Sequence, residues 1–177
     1  MCSSDLFMET LSFGLDAAIA LDTTARRAAG TAQEGSGLFM TSGLKILSGS
    51  KRGWPCRVRF NDEDEVLELR ELIFAVQVGP TYGGGFRICP EADPTDGLLD
   101  VCYNVKKPQL PHLLTLFLRA RSGGHAKSPV VRFTQVKRID VEFEREPPAQ
   151  VDGERIVGTR FRIDSEPAAL RVVIPSA

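Results

Sequence analysis

A chain of 177 residues, 42% hydrophobic and 25% charged, is long enough to bury a sizeable core and has the average make-up of a soluble globular domain. That excludes a disordered tail, a collagen-like fibre and a disulfide-framed miniprotein. Lys plus Arg number 22 against 23 Asp plus Glu, a formal charge of -1, which disfavours a dedicated nucleic-acid domain.

The first element in chain order follows the apolar stretch Leu11 to Gly14. Leu15 to Ala29 is alanine-rich and predicts a helix ended near Gly30, and Thr31 to Gly37 reads as a small-residue loop. A second helix is expected over Leu38 to Leu47, broken by Gly49 to Gly53. From Trp54 the period becomes two: Cys56, Val58 and Phe60 alternate with Arg57 and Arg59, the pattern of a half-buried strand. Asn61 to Glu65 forms an acidic tip, favoured as a solvated hairpin turn over a cation site. Leu72 to Val78 is an apolar run expected to be buried on both faces.

Further strands are expected at Phe86 to Cys89, Leu99 to Val105, Val130 to Val136, Arg138 to Glu144, Arg160 to Ile163 and Leu170 to Ile174. Between them, Gln109 to Arg121 predicts a helix whose apolar face is Leu110, Leu113, Leu114, Phe117 and Leu118. About nine short strands with few helices point to a mainly β, α+β fold of the sandwich or rolled-sheet type.

Cys2, Cys56, Cys89 and Cys102 are widely spaced, form no C-x-x-C pair, and have only His112 and His125 for company. That argues against zinc and for reduced thiols. No run reaches the ~18 apolar residues of a membrane span. Met1 to Asp5 lacks the basic-then-apolar order of a signal peptide, so a cytoplasmic protein is expected.

Three segments can carry chemistry. Gly83-Gly84-Gly85 permits close approach to a ligand or, on local grounds, a tight bend between strands. Asp93-Pro94-Thr95-Asp96-Gly97-Leu98-Leu99-Asp100 is a well-made loop entering a strand; its carboxylates and carbonyls can also form an all-oxygen site for a hard cation. Val151-Asp152-Gly153-Glu154 reads either as a plain Asp-Gly hairpin or as a turn that presents two carboxylates at a cleft, one as general base. Lys106, Lys107, Arg119, Arg121 and Lys127 flank the amphipathic helix, as a solvated face or as contacts for an anionic membrane.

In this order the segments resemble the C-terminal domain of the diacylglycerol kinase/sphingosine kinase family, in particular its soluble bacterial lipid kinases. The resemblance rests on Ser12-Phe13-Gly14-Leu15-Asp16-Ala17, Tyr82 to Pro90, Asp93 to Asp100, Gln150 to Glu154 and Pro167 to Val173, and it covers nearly the whole chain. It implies a β-sandwich-like C-terminal domain, residues 1–177, of a two-domain lipid kinase related to NAD kinases. The family's nucleotide-binding domain carries a Gly-Gly-Asp-Gly-Thr motif, which this sequence lacks.

The implied activity of the intact protein is ATP-dependent phosphorylation of a lipid hydroxyl, the fragment alone being inactive. By resemblance Asp152 is the general base and Glu154 its partner, orienting it or helping to bind Mg²⁺. Asp96 is the side-chain ligand of a structural Mg²⁺, completed by backbone oxygens at Asp93 and Leu98. ATP is expected to be held mainly by the other domain. The implied partners are a lipid substrate and transient contact with the membrane surface, with no nucleic acid; a homodimer stays open. Two departures stand out: Val78-Gly79 replaces an Asn-Gly of many relatives, and Asp93 replaces a Lys. The alternatives are a stand-alone lipid-binding domain and a kinase of a soluble substrate.

Overall fold

The computed structural model describes residues 6–49 and 53–171. Its elements in order are β1 (Thr10–Gly14), α1 (Leu15–Ala28), α2 (Gly35–Gly49), β2 (Trp54–Phe60), β3 (Leu67–Glu71), β4 (Ile73–Gln77), β5 (Leu99–Asn104), α3 (Leu110–Ala120), a 3₁₀ turn at Gly124–Lys127, β6 (Val131–Val136), β7 (Arg138–Phe143), β8 (Ala149–Val151), β9 (Glu154–Ile156) and β10 (Arg160–Asp164). The strands form two antiparallel sheets, ordered β6-β5-β4-β1-β8-β9 and β10-β7-β2-β3. A sandwich with helices on one face follows from the patterning, because each sheet must bury an apolar face.

Alternation decides which face goes where. Leu11, Phe13, Phe74, Val76, Leu99 and Val101 of the six-stranded sheet meet Cys56, Val58, Ile139, Val141 and Phe143 of the four-stranded one in a single core. Phe13 sits at its centre, with ring centroids 5.1 Å from Phe143 and 4.8 Å from Phe161. The intervening positions Ala75 and Cys102 point the other way and pack with Ile19, Phe39, Leu116 and Ala120 of the three helices. The chain crosses from one sheet to the other between β3 and β4. Buried Asn104 pins that corner: its Oδ1 accepts the Leu72 and Ile73 N–H groups at 2.7 and 2.9 Å, and its Nδ2 donates to the Arg70 carbonyl at 3.1 Å.

Four expectations change. Phe86 to Cys89 is not a strand. Gly83, Gly84 and Gly85 all have positive φ (59°, 81° and 95°), so the chain doubles back after a lone Tyr82–Phe86 bridge, and the Arg87 N–H donates to the Ala120 carbonyl of α3. Left-handed backbone at three successive residues cannot continue a strand and is open only to glycine at little cost.

The apolar face of α3 is also rotated from the one expected. Leu113, Leu116 and Ala120 are buried, whereas Leu110 and Leu118 lie in the open. Gly43 of α2 supplies the reason: a methyl group there would stand 2.1 Å from the Phe117 ring. α2 therefore takes the Phe117 flank and leaves the outer leucines uncovered. Finally, α2 begins at Gly35, three residues before the expected Leu38. Of the strand expected at Leu170 to Ile174, Leu170 and Arg171 are in no strand and the rest lies outside the described residues.

Candidate active site

The β8–β9 hairpin carries Asp152 and Glu154. Asp152 (φ 45°) and Gly153 (φ 90°) are the two corner residues of the Asp-Gly turn read from the sequence. Both are left-handed, as a two-residue turn between twisted strands requires. The turn is braced from within and from α1: the Gly153 N–H donates to Gln150 Oε1 at 2.7 Å, and Thr24 Oγ1 donates to the Gly153 carbonyl at 3.3 Å.

The Asp152 carboxylate points back along β1. Oδ2 accepts the Met8 N–H at 2.8 Å, and Oδ1 accepts the N–H groups of Glu9 (3.1 Å) and Thr10 (2.8 Å). An ionised carboxylate offers about four acceptor sites, so three amides fix this one and leave a site open. Burial and the nearby Asp152 charge raise the pKa of Glu9 above its ordinary value. Glu154 is exposed at the start of β9, and its neighbour Arg155 lies 3.6 Å from Glu146.

The loop before β5 turns on its own side chains. Asp93 Oδ1 accepts the Thr95 amide (2.9 Å) and hydroxyl (2.7 Å), which hold that carboxyl below its usual pKa. Asp96 Oδ1 accepts the Leu98 N–H at 2.8 Å, and Asp96 Oδ2 accepts Gln135 Nε2 at 3.0 Å. Gln135 lies 3.4 Å from Asp100 Oδ2 as well. Burial raises the pKa of Asp100, the Gln135 contact opposes this, and the charges of Asp96, Asp93 and Glu91 add to the rise.

A hard cation in this loop would meet only oxygen donors. It would relieve repulsion among four carboxylates and needs only oxygen donors. With the Asp93 carboxyl turned to Thr95, those donors would be one Asp96 oxygen, backbone carbonyls and water. Among the described residues no three His, Cys, Asp or Glu side chains converge on one point.

Sheet register brings the two segments to the same end of the molecule. Gln135, Asp100, Gln77 and Thr10 are successive partners across β6, β5, β4 and β1. The Asp152 N–H then donates to the Thr10 carbonyl at 2.9 Å. Gln77 Nε2 donates to Thr10 Oγ1 within the row at 2.5 Å. With strands ~4.8 Å apart, the Asp152 turn stands roughly 14 Å from β5 and its metal-type loop.

Sequence reasoning missed a second, buried polar group. Asp16, at the start of α1, accepts the Tyr82 hydroxyl, and Glu71 is fully buried nearby with neither carboxyl oxygen hydrogen-bonded. Burial, then the neighbouring Asp16 charge, push the Glu71 pKa well up, and burial raises that of Asp16. An acid at the inward end of the β3 alternation was the available signal. Asp16 also lines an apolar cavity of about 50 Å³ beneath α3, between Leu15, Ile73, Leu113 and Phe117.

Residues 9–174 match the family described as YegS C-terminal NAD kinase beta sandwich-like domain. The chain belongs to this family. Among its relatives is a Bacillus subtilis protein named as a lipid kinase, YtlR, 32% identical over 135 residues, which span 76% of this chain and 43% of that protein. A Mycobacterium tuberculosis diacylglycerol kinase is 37% identical over 97 residues, 54% of this chain and 30% of the kinase. The chain thus spans less than half the length of the curated relatives it matches. A diacylglycerol kinase structure from Bacillus anthracis superposes with a TM-score of 0.59 at 17% identity, over 93% of this chain and 54% of that one. This last likeness bears out the sandwich fold.

Proposed function

We propose that this domain supplies the lipid-side half of the active site of an ATP-dependent lipid kinase, with Asp152 as general base. The observation that carries the reading is the Asp152 carboxylate, fixed by three backbone amides on a tight turn with one acceptor site on Oδ2 unused. Phosphoryl transfer asks the protein for positioning and charge neutralisation more than for covalent chemistry. In the proposed step the lipid hydroxyl oxygen bonds to the γ-phosphorus of ATP. The bond from that phosphorus to the β,γ-bridging oxygen breaks, ADP leaves, and the hydroxyl proton passes to Asp152 Oδ2 and on to water. The Thr10, Glu9 and Met8 amides hold the base in place throughout. Glu154, two residues on along the hairpin, orients the incoming hydroxyl or the cation beside it.

Asp96, with carbonyls at Asp93 and Leu98, would hold Mg²⁺ as a structural ion at the same end of the sheet. Bound there, the ion neutralises the acidic loop and stiffens the entry to β5. ATP is bound mainly by a nucleotide-binding domain of the intact protein, which acts at the cytoplasmic membrane face.

The test is phosphorylation of diacylglycerol in neutral detergent micelles by the full-length protein. Asp152→Asn is expected to lower kcat by about 10²–10⁴-fold, the usual worth of a general base, with KM little changed. An undiminished rate would overturn the assignment.

A further inference from the structure

We infer that the outward face of α3 is a docking surface for an anionic lipid bilayer. Leu110 is 48% exposed and Leu118 49%, and they stand about one turn either side of half-buried Leu114 on one flank of the helix. α2 packs on the neighbouring Phe117 flank through Gly43, which leaves this one open. The outer leucines of α3 therefore lie beside the face that the two helices bury.

The charge along this stretch of the chain is of one sign. From Val101 to Ile139 the chain contains no Asp or Glu. Lys106 precedes the helix, Arg119 and Arg121 close it, and Lys127 ends the 3₁₀ turn packed on it; all four are exposed. Among the described residues, the salt bridges involve other cations, on α2 and the strands. Leucines rimmed by cations, without a carboxylate in the stretch, match the acyl boundary and phosphate layer of an anionic leaflet. A protein-binding hot spot would centre on Trp, Tyr or Arg in a packed pocket, and here the centre is leucine on a convex helix. The surface extends the lipid-kinase reading by stating how the domain reaches a substrate held in a membrane.

The experiment is flotation of the full-length protein with vesicles of phosphatidylcholine, with and without a one-third share of phosphatidylglycerol. Binding to the anionic vesicles alone is expected, weakening as salt shortens the screening length. Arg119→Glu with Lys127→Glu is expected to cut partitioning by at least fivefold per site, and Leu110→Ser with Leu118→Ser to abolish it. Both double variants keep their phosphorylation rate on micellar diacylglycerol. Absence of flotation, equal flotation with neutral vesicles, or variants that float like the wild type would overturn the docking surface, including the case in which another part of the protein or a second copy covers it. Flotation without micellar phosphorylation would instead overturn the kinase reading and leave the surface standing.

Discussion

Asp152 and Thr10 hold each other by reciprocal bonds: the Asp152 N–H donates to the Thr10 carbonyl at 2.9 Å, and Asp152 Oδ1 accepts the Thr10 N–H at 2.8 Å. The candidate base thus also closes the start of β1 onto the β8–β9 turn. Any change there acts on structure and chemistry together, and the two must be measured apart.

Asp152→Ala removes the acceptor of three amide N–H donors at once, and only the Thr10 amide is part-buried, so a loss of about 1–3 kcal/mol is expected. Asp152→Asn keeps one acceptor oxygen and is expected to lose less than the Ala variant. Denaturant unfolding ranks the pair. If the Asn variant unfolds as easily as the Ala variant, the carboxylate's hold on β1 is not what stabilises this corner.

Asn104→Ala strands the buried N–H of Leu72 and the part-buried N–H of Ile73 at the crossing between the sheets. Each buried donor left without a partner costs about 1–3 kcal/mol, so a total loss of about 2–4 kcal/mol is expected in urea denaturation. A loss under about 1 kcal/mol would mean that water replaces the side chain.

The folded protein holds the Glu71 pKa well above its ordinary 4.5. Between those two values the folded state binds more protons than the unfolded chain, so this group's contribution to stability falls as pH rises above about 4.5. Glu71→Gln removes that slope. Its melting temperature is expected to match the wild type near pH 4 and to exceed it increasingly towards pH 8. Parallel melting curves across that range would show that the carboxyl is not held neutral.

Mg²⁺ at millimolar concentration is expected to raise the melting temperature, because a ligand that binds only the folded state stabilises it in proportion to ln(1 + [L]/Kd). The rise should vanish in Asp96→Ala. Thr95→Val, which removes the hydroxyl bond to the Asp93 carboxyl and keeps the amide one, is expected to keep it. No shift in the wild type at any magnesium concentration tried would remove the cation from this loop.

Local periodicity determined much of the fold. The alternation Cys56, Val58, Phe60 set the inward face of β2, the Asp152-Gly153 pair set a two-residue hairpin, and the alanine-rich run from Leu15 set α1. These signals act within a few residues, and a side chain's inward or outward sense follows from the period alone. What lay beyond that reach was decided by tertiary structure. The face that α3 buries depends on Phe117 meeting Gly43, more than seventy residues earlier in the chain. That the Asp152 turn and the Asp96 loop share one end of a sheet depends on the register of four strands, which no local pattern encodes. The burial of Glu71 beside Asp16 has the same origin: the β3 alternation turns Glu71 inward, but only tertiary packing sets it beside an acid 55 residues away and takes water from both.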